Sequence, residues 1–112
     1  KTALGAENSV KWSHYKTAKE AIHYLKENGF LVLGVEQTTE SIQLQQLPKF
    51  AGQPTAFIFG NEVTGVEKDT LMHCDGCLEI PQFGTKHSLN VSVAAGIVLW
   101  EAVKNCPMFK KQ

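Results

Sequence analysis

The densest polar chemistry in this 112-residue chain is Gly84, Thr85, Lys86, His87, Ser88 and Asn90, set directly before a long apolar run in IPQFGTKHSLNVSVAAGIVLW (residues 80–100). A second polar stretch, GNEVTG (residues 60–65), places Glu62 between Gly60 and Gly65. Carboxylate, hydroxyl and amide side chains beside glycines, where the backbone comes close to whatever it surrounds, can grip and orient a polar ligand. A plainer reading of the same residues makes Ser88 only the N-cap of the following helix and Glu62 a solvated side chain. On the capping reading, Asn90 lies two residues beyond the cap, with its side chain free to point into a crevice.

Spacing argues against four other chemistries. GNEVTGVEK carries the glycine spacing of a phosphate-binding loop, but Val66 and Glu67 stand where Lys and Ser or Thr must reach phosphate and magnesium, so that loop is rejected. No G-x-G-x-x-G follows an apolar run, which removes the dinucleotide fingerprint. HCDGC (residues 73–77) contains C-x-x-C. A structural zinc site needs four ligands, and Cys106 and the other histidines offer no second paired spacing. A redox dithiol should follow a strand and open a helix, whereas this pair precedes a strand. Cys74 and Cys77 therefore read as buried thiols, and no metal is expected.

The elements that must position these residues read as alternating helices and apolar strands. TAKEAIHYLKENG (residues 17–29) predicts a helix with Thr17 as N-cap, Glu20 completing a capping box, Ala18, Ala21, Ile22 and Leu25 on one face, and Gly29 as the stop. FLVLGVEQ (residues 30–37) is apolar without alternation, as in a parallel strand covered on both faces. Residues 38–54 are polar and predict at most a short helix around Ile42, Leu44 and Leu47, punctuated by Pro48 and Pro54. TAFIFG (residues 55–60) is a second strand, VEKDTLMHC (66–74) a short helix turning Leu71 and Met72 inward, and GCLEIPQ (76–82) a third strand. Along the last helix Leu89, Val93, Ile97 and Lys104 mark one face, while Val91, Ala94, Ala95, Val98 and Leu99 make most of the remainder apolar, so it must be covered nearly all round. The pattern predicts an α/β fold, a parallel sheet flanked by helices. In such sheets ligands bind beyond the carboxyl ends of the strands, and both polar stretches would open there.

Composition bounds the rest. With 43% hydrophobic and 20% charged residues, the chain reads as one globular domain spanning residues 1–112. Eleven cationic residues, all lysine, balance eleven acidic ones, so any polyanion site must be local. Three cysteines and no export signal argue against a disulfide framework, and no apolar run reaches the length of a membrane span. A soluble, cytoplasmic protein is expected.

FIFGNEVTGV (57–66) together with LEIPQFGTKHSLNVSVAAGIVLWEA (78–102) resembles the second and third motifs of the SpoU/TrmH branch of the SPOUT RNA methyltransferases. KTALGAE (1–7), followed by Trp12, resembles the bacterial tRNA/rRNA methyltransferase type within it. The resemblance implies S-adenosyl-L-methionine as cofactor and a ribose 2′-hydroxyl of tRNA or rRNA as methyl acceptor. It implies cofactor contacts at Gly60, Ile80 and Leu89, and it implies that Glu62, Ser88 and Asn90 are the catalytic residues that position cofactor and ribose. It also implies a deep trefoil knot in the C-terminal part, enclosing the cofactor pocket, and a homodimer packed on the last helix.

The family's first motif contributes an arginine to activate the hydroxyl, and this sequence contains no arginine. The expectation is a SPOUT domain lacking that upstream motif, holding the cofactor half of the site and inactive by itself. Lys86 and His87 read as loop or RNA-facing residues. The alternative is a non-catalytic RNA-binding or dimerisation module of the same fold.

Overall fold

The computed structural model describes residues 10–50, 52–61, 63–81 and 90–104, with the side chains of residues 48–50 excepted. Helix α1, Ala18–Glu27, begins where Thr17 leaves the helical conformation (φ −134°, ψ 155°) and its Oγ1 accepts from Glu20 N at 3.2 Å. Glu20 in the first turn and Lys26 in the last both suit the helix dipole. The helix stops as Asn28 N donates to Tyr24 O and Leu25 O, and Gly29 takes the left-handed φ of +85° that lets the chain turn at once into the first strand. Thr17 as N-cap and Gly29 as the stop match the sequence reading, while Glu20 makes no return bond to Thr17 N to complete a capping box and Ala18 is exposed.

Strands β1 (Leu31–Val35), β2 (Ile42–Gln43), β3 (Thr55–Ile58) and β4 (Gly76–Glu79) form one sheet in the order β2-β4-β1-β3, every pairing parallel. A 3-10 helix, Leu44–Phe50, follows β2, helix α2 (Lys68–His73) joins β3 to β4, and helix α3 (Val91–Val103) follows the sheet. The parallel α/β prediction holds, and residues 38–54 add a two-residue strand that the sequence did not signal.

Side-chain alternation along the central strand β1 sorts the two faces. Leu31, Leu33 and Val35 face a core of Leu33, Leu47, Leu78 and Val98, ringed by Ile42, Leu44, Phe57, Phe59, Ile80 and Ala102, so the 3-10 helix and α3 cover this side. On the other face Leu71 of α2 lies over Gly34, with its Cδ2 2.5 Å from where a Cβ would stand. Val32 and Ile22 are fully buried. Gly34 is thus the position that lets α2 sit down on the sheet.

Two expectations about packing are corrected. Met72 is 80% exposed, because six helical residues expose one side of the helix and Leu71 alone of the pair turns to the sheet. Along α3 the buried positions are Ala94 and Val98, four residues apart, while Val93, Leu99 and Trp100 are at least half exposed. Within the described residues α3 is therefore covered on one face only. Strand β3 is half-buried throughout, unlike β1, because it has a neighbour on one side only.

Asp75 ties α1, α2 and β1 together. Val32 N donates to Asp75 Oδ2 at 2.8 Å, Asp75 N donates to Val32 O at 2.7 Å, and Lys26 Nζ lies 3.6 Å from Asp75 Oδ1 while donating to His73 O at 3.1 Å. The Lys26 pair is partly solvated and contributes little. The bond to the amide of buried Val32 is the stronger contribution, since losing it strands a donor out of reach of water. Asp75→Ala is expected to lower unfolding free energy by about 1–3 kcal/mol in urea titration, and Lys26→Ala by under about 1 kcal/mol.

Candidate functional site

The candidate site lies on the edge of the sheet where the strands end. Gly34 is in register with both Ile58 and Cys77, which sets Gly60, Glu36 and Glu79 level with one another two residues further on. Gly60, two residues beyond β3, and Ile80, directly after β4, thus lie on either side of β1, roughly 10 Å apart at two strand spacings. Two predicted cofactor positions are brought to one edge.

The loop after β3 is closed by hydrogen bonds to Asn61. Asn61 Oδ1 accepts from Val63 N at 2.6 Å and from Thr64 N at 3.2 Å, and Gly65 N donates to Asn61 O at 2.7 Å. Gly65 has φ +72°, a conformation that side chains disfavour. A Cβ on Gly60 would collide with the Gly65 carbonyl group and Val66 N, so the loop folds back on the end of its own strand. The chain beyond it is anchored to β1, since Glu36 Oε1 accepts from Val66 N at 3.1 Å.

A second carboxylate fixes the other side of this edge. Glu79 Oε1 accepts from Ser41 Oγ at 2.7 Å and Gln43 Nε2 at 3.3 Å, joining the end of β4 to the approach of β2. Both Glu36 and Glu79 therefore accept internal donors and act as struts beneath the loops. Neither was singled out in the sequence. The signal was available for both, as an acidic residue directly at the carboxyl end of an apolar strand.

Asn90 lies at the start of α3 and differs from its sequence reading. It is the N-cap itself: the helix begins at Val91, and Asn90 Oδ1 accepts from Ser92 N at 2.8 Å. Asn caps as well as Ser does, and the helix takes the candidate adjacent to its first turn, so this side-chain oxygen is engaged at the helix end. Glu62, Ser88 and Leu89 lie outside the described residues.

The C-x-x-C stretch is separate from this edge. Cys74 and Cys77 are free thiols of intermediate burial, and Cys74 Sγ lies 3.6 Å from Thr70 O. Burial, reinforced by Cys77 and Asp75 and opposed by Lys26, pushes the Cys74 thiol above its ordinary pKa. Among the described residues no group of three or more His, Cys, Asp and Glu side chains is placed to hold a metal ion.

The loop geometry makes a graded prediction. Gly65→Ala combines a disfavoured φ with a Cβ 2.8 Å from Glu36 Oε1, and is expected to cost about 1–3 kcal/mol in denaturant unfolding. Gly60→Ala should cost more than Gly65→Ala, because its Cβ would run into the Gly65–Val66 peptide group, where no flexible side chain can yield.

Comparison with known proteins follows the same residues. The model of the SpoU rRNA Methylase family matches residues 1–100. The 23S rRNA (guanosine-2'-O-)-methyltransferase RlmB of Neisseria meningitidis is 38% identical over 102 residues, covering 90% of this chain and 39% of the relative. Among solved structures, the A. aeolicus TrmH/SpoU tRNA modifying enzyme superposes with TM-score 0.68 at 32% identity, over 79% of this chain and 44% of that one. An AdoMet-bound rRNA methyltransferase from Sinorhizobium meliloti gives TM-score 0.69 at 25% identity, over 79% and 33%. The chain thus spans less than half the length of these relatives. A family model that matches from the first residue through most of α3 decides the classification: this chain belongs to the SpoU rRNA Methylase family.

Proposed function

We propose that this chain forms the S-adenosyl-L-methionine-binding part of an enzyme that methylates a ribose 2′-hydroxyl of tRNA or rRNA. The observation that carries the reading is the convergence of Gly60 and Ile80 on one strand edge, beside a loop closed by its own hydrogen bonds, in a chain of this family. The RlmB relative is named for guanosine 2′-O-methylation of 23S rRNA, and the Sinorhizobium neighbour is described with AdoMet bound.

The residues at the edge fit such a group. Beyond the last ladder bonds the strand ends present neutral main chain, and Phe59 and Ile80, packed against the core, remain half-buried, a neutral and apolar surround suited to an adenosine. When bound, the cofactor supplies a methyl group already activated on a sulfonium. Gly60, Ile80 and Leu89 would hold it, and Glu62, Ser88 and Asn90 would position the cofactor and the ribose. Alignment of this kind is worth up to about 7–11 kcal/mol of barrier. Proton removal from the hydroxyl needs a base or a cationic stabiliser within hydrogen-bond reach, a role the family's first motif gives to an arginine, and this sequence contains none.

The same reading includes the trefoil knot around the pocket and a homodimer. In support of the dimer, Val93, Leu99 and Trp100 form an apolar surface on α3 that the described part of the chain leaves open. One SPOUT domain over residues 1–112 and a cytoplasmic setting, where tRNA and rRNA are modified, complete it. No helix among the described residues is long and apolar enough to cross a membrane.

Titration calorimetry with S-adenosylhomocysteine tests the proposal. One-to-one binding is expected, weakened about 10-fold by Ile80→Ala and lost in Gly60→Val, with circular dichroism checking that each variant is folded. A folded wild-type chain that takes up no S-adenosylhomocysteine contradicts the reading.

A further inference from the structure

The chain is neutral as a whole, yet its charge is not evenly spread. Residues 10–19, VKWSHYKTAK, contain Lys11, Lys16 and Lys19 and no acidic residue. The aromatic side chains of this strip are open to solvent: Trp12 is 72% exposed and Tyr15 37%, and Tyr24 on α1 is 53% exposed. The rings of Tyr15 and Tyr24 lie 6.0 Å apart at 39°, so the segment before the helix and the helix surface share one aromatic face. A shallow groove of about 470 Å³ runs beside it, lined by Lys19, His23 and Tyr24 with Thr17, and with Glu20 and Glu27 as its acidic members.

Position relates the strip to the candidate site. The turn at Asn28 and Gly29 sends the chain from α1 straight into β1, so α1 runs back against the strand direction. Ten helical residues and five strand residues have similar lengths, about 15 and 16 Å. Thr17 and the segment leading to it therefore lie toward the sheet edge that carries Gly60 and Ile80, while Asn28 lies at the opposite edge.

We propose that Trp12, Tyr15 and Tyr24, with Lys11, Lys16 and Lys19, form a platform for single-stranded RNA that leads to this edge. The proposal rests on the RNA-methylation reading and adds to it a surface and the form of RNA that surface takes. Exposed rings stack on bases only when those bases are out of a helix, and lysine ammonium groups meet the phosphates as point charges without reading sequence. A docking site for a protein helix would be expected to pair an apolar stripe with a polar rim. Here Lys11, Lys16 and Lys19 are interspersed along the chain with Trp12, Tyr15 and Tyr24, and Lys19 shares the groove with Tyr24, a mixture of cations and rings suited to a nucleic-acid backbone.

The test is fluorescence anisotropy of a labelled twelve-nucleotide oligouridylate and of a twelve-base-pair RNA duplex with the full chain. Trp12→Ala and Tyr24→Ala are each expected to weaken single-strand binding by about 10-fold or more, and Trp12→Phe to restore it to within about 3-fold. Replacing Lys11, Lys16 and Lys19 together by Gln should reduce the slope of log affinity against log salt by about 2. These side chains are exposed, so the variants are expected to fold and to keep S-adenosylhomocysteine binding. Unchanged oligouridylate affinity in the aromatic variants, or tighter binding of the duplex than of the single strand, overturns the platform and leaves the methyltransferase reading standing. A wild-type chain that binds no oligouridylate, but whose self-association in sedimentation is lost with Trp12→Ala, overturns it in favour of a protein interface. Failure of the wild type to bind S-adenosylhomocysteine is the separate result that overturns the functional reading.

Discussion

Parallel pairing of β1 on both sides is the constraint on which the rest depends. Because Gly34 faces Ile58 on one side and Cys77 on the other, the strands end level, and Gly60 and Ile80, from distant parts of the chain, come to one edge. A slip of one residue in either pairing would turn Leu33 or Leu78 out of the core, so the hydrophobic pattern itself enforces the register. Gly34 serves the same end from the opposite face by admitting Leu71, and the Asp75 bonds to Val32 fix the far end of the strand.

Charge plays different parts at the two ends of the sheet. At the far edge the Lys26–Asp75 pair is partly solvated and adds little to the hydrogen bonds that Asp75 makes with the backbone. At the candidate edge, Glu36 and Glu79 sit where the ladder ends and donors would otherwise go unpaired. Each takes up donors from a neighbouring segment, Val66 N in one case and Ser41 and Gln43 in the other. Such anchoring of Val66 and of the approach to β2 suits a site that would work by alignment, because misplacement of reacting groups erases the gain in rate. The closed turn at residues 61–65, with glycine where φ is positive, belongs to the same design.

Local signals were legible in the sequence and long-range ones were not. Thr17, Glu20 and Gly29 define α1 within a few residues, and three apolar runs mark β1, β3 and β4 by composition. Strand β2 is two residues in a polar stretch, too short for periodicity to register, and exists because β4 offers it a partner. Leu71 and Met72 are adjacent, and in a helix of six residues only the packing over Gly34 decides which one turns inward. Ser88 and Asn90 were both able to cap α3, and sequence alone does not fix its first turn; the structure begins it at Val91. For the site, the motifs singled out Gly60 and Ile80, which meet at one edge, whereas the supporting Glu36 is brought to Val66 by the fold, 30 positions away.

We place the cofactor at the strand edge carrying Gly60 and Ile80, and amide chemical-shift mapping in a titration with S-adenosylhomocysteine is the decisive measurement. The account predicts saturable shifts at Gly60, Gly65 and Ile80, with Gly29 and Asp75 at the opposite edge unmoved. Saturable shifts confined to Gly29, Asp75 or the exposed face of α1, with Gly60 and Ile80 silent, would contradict it.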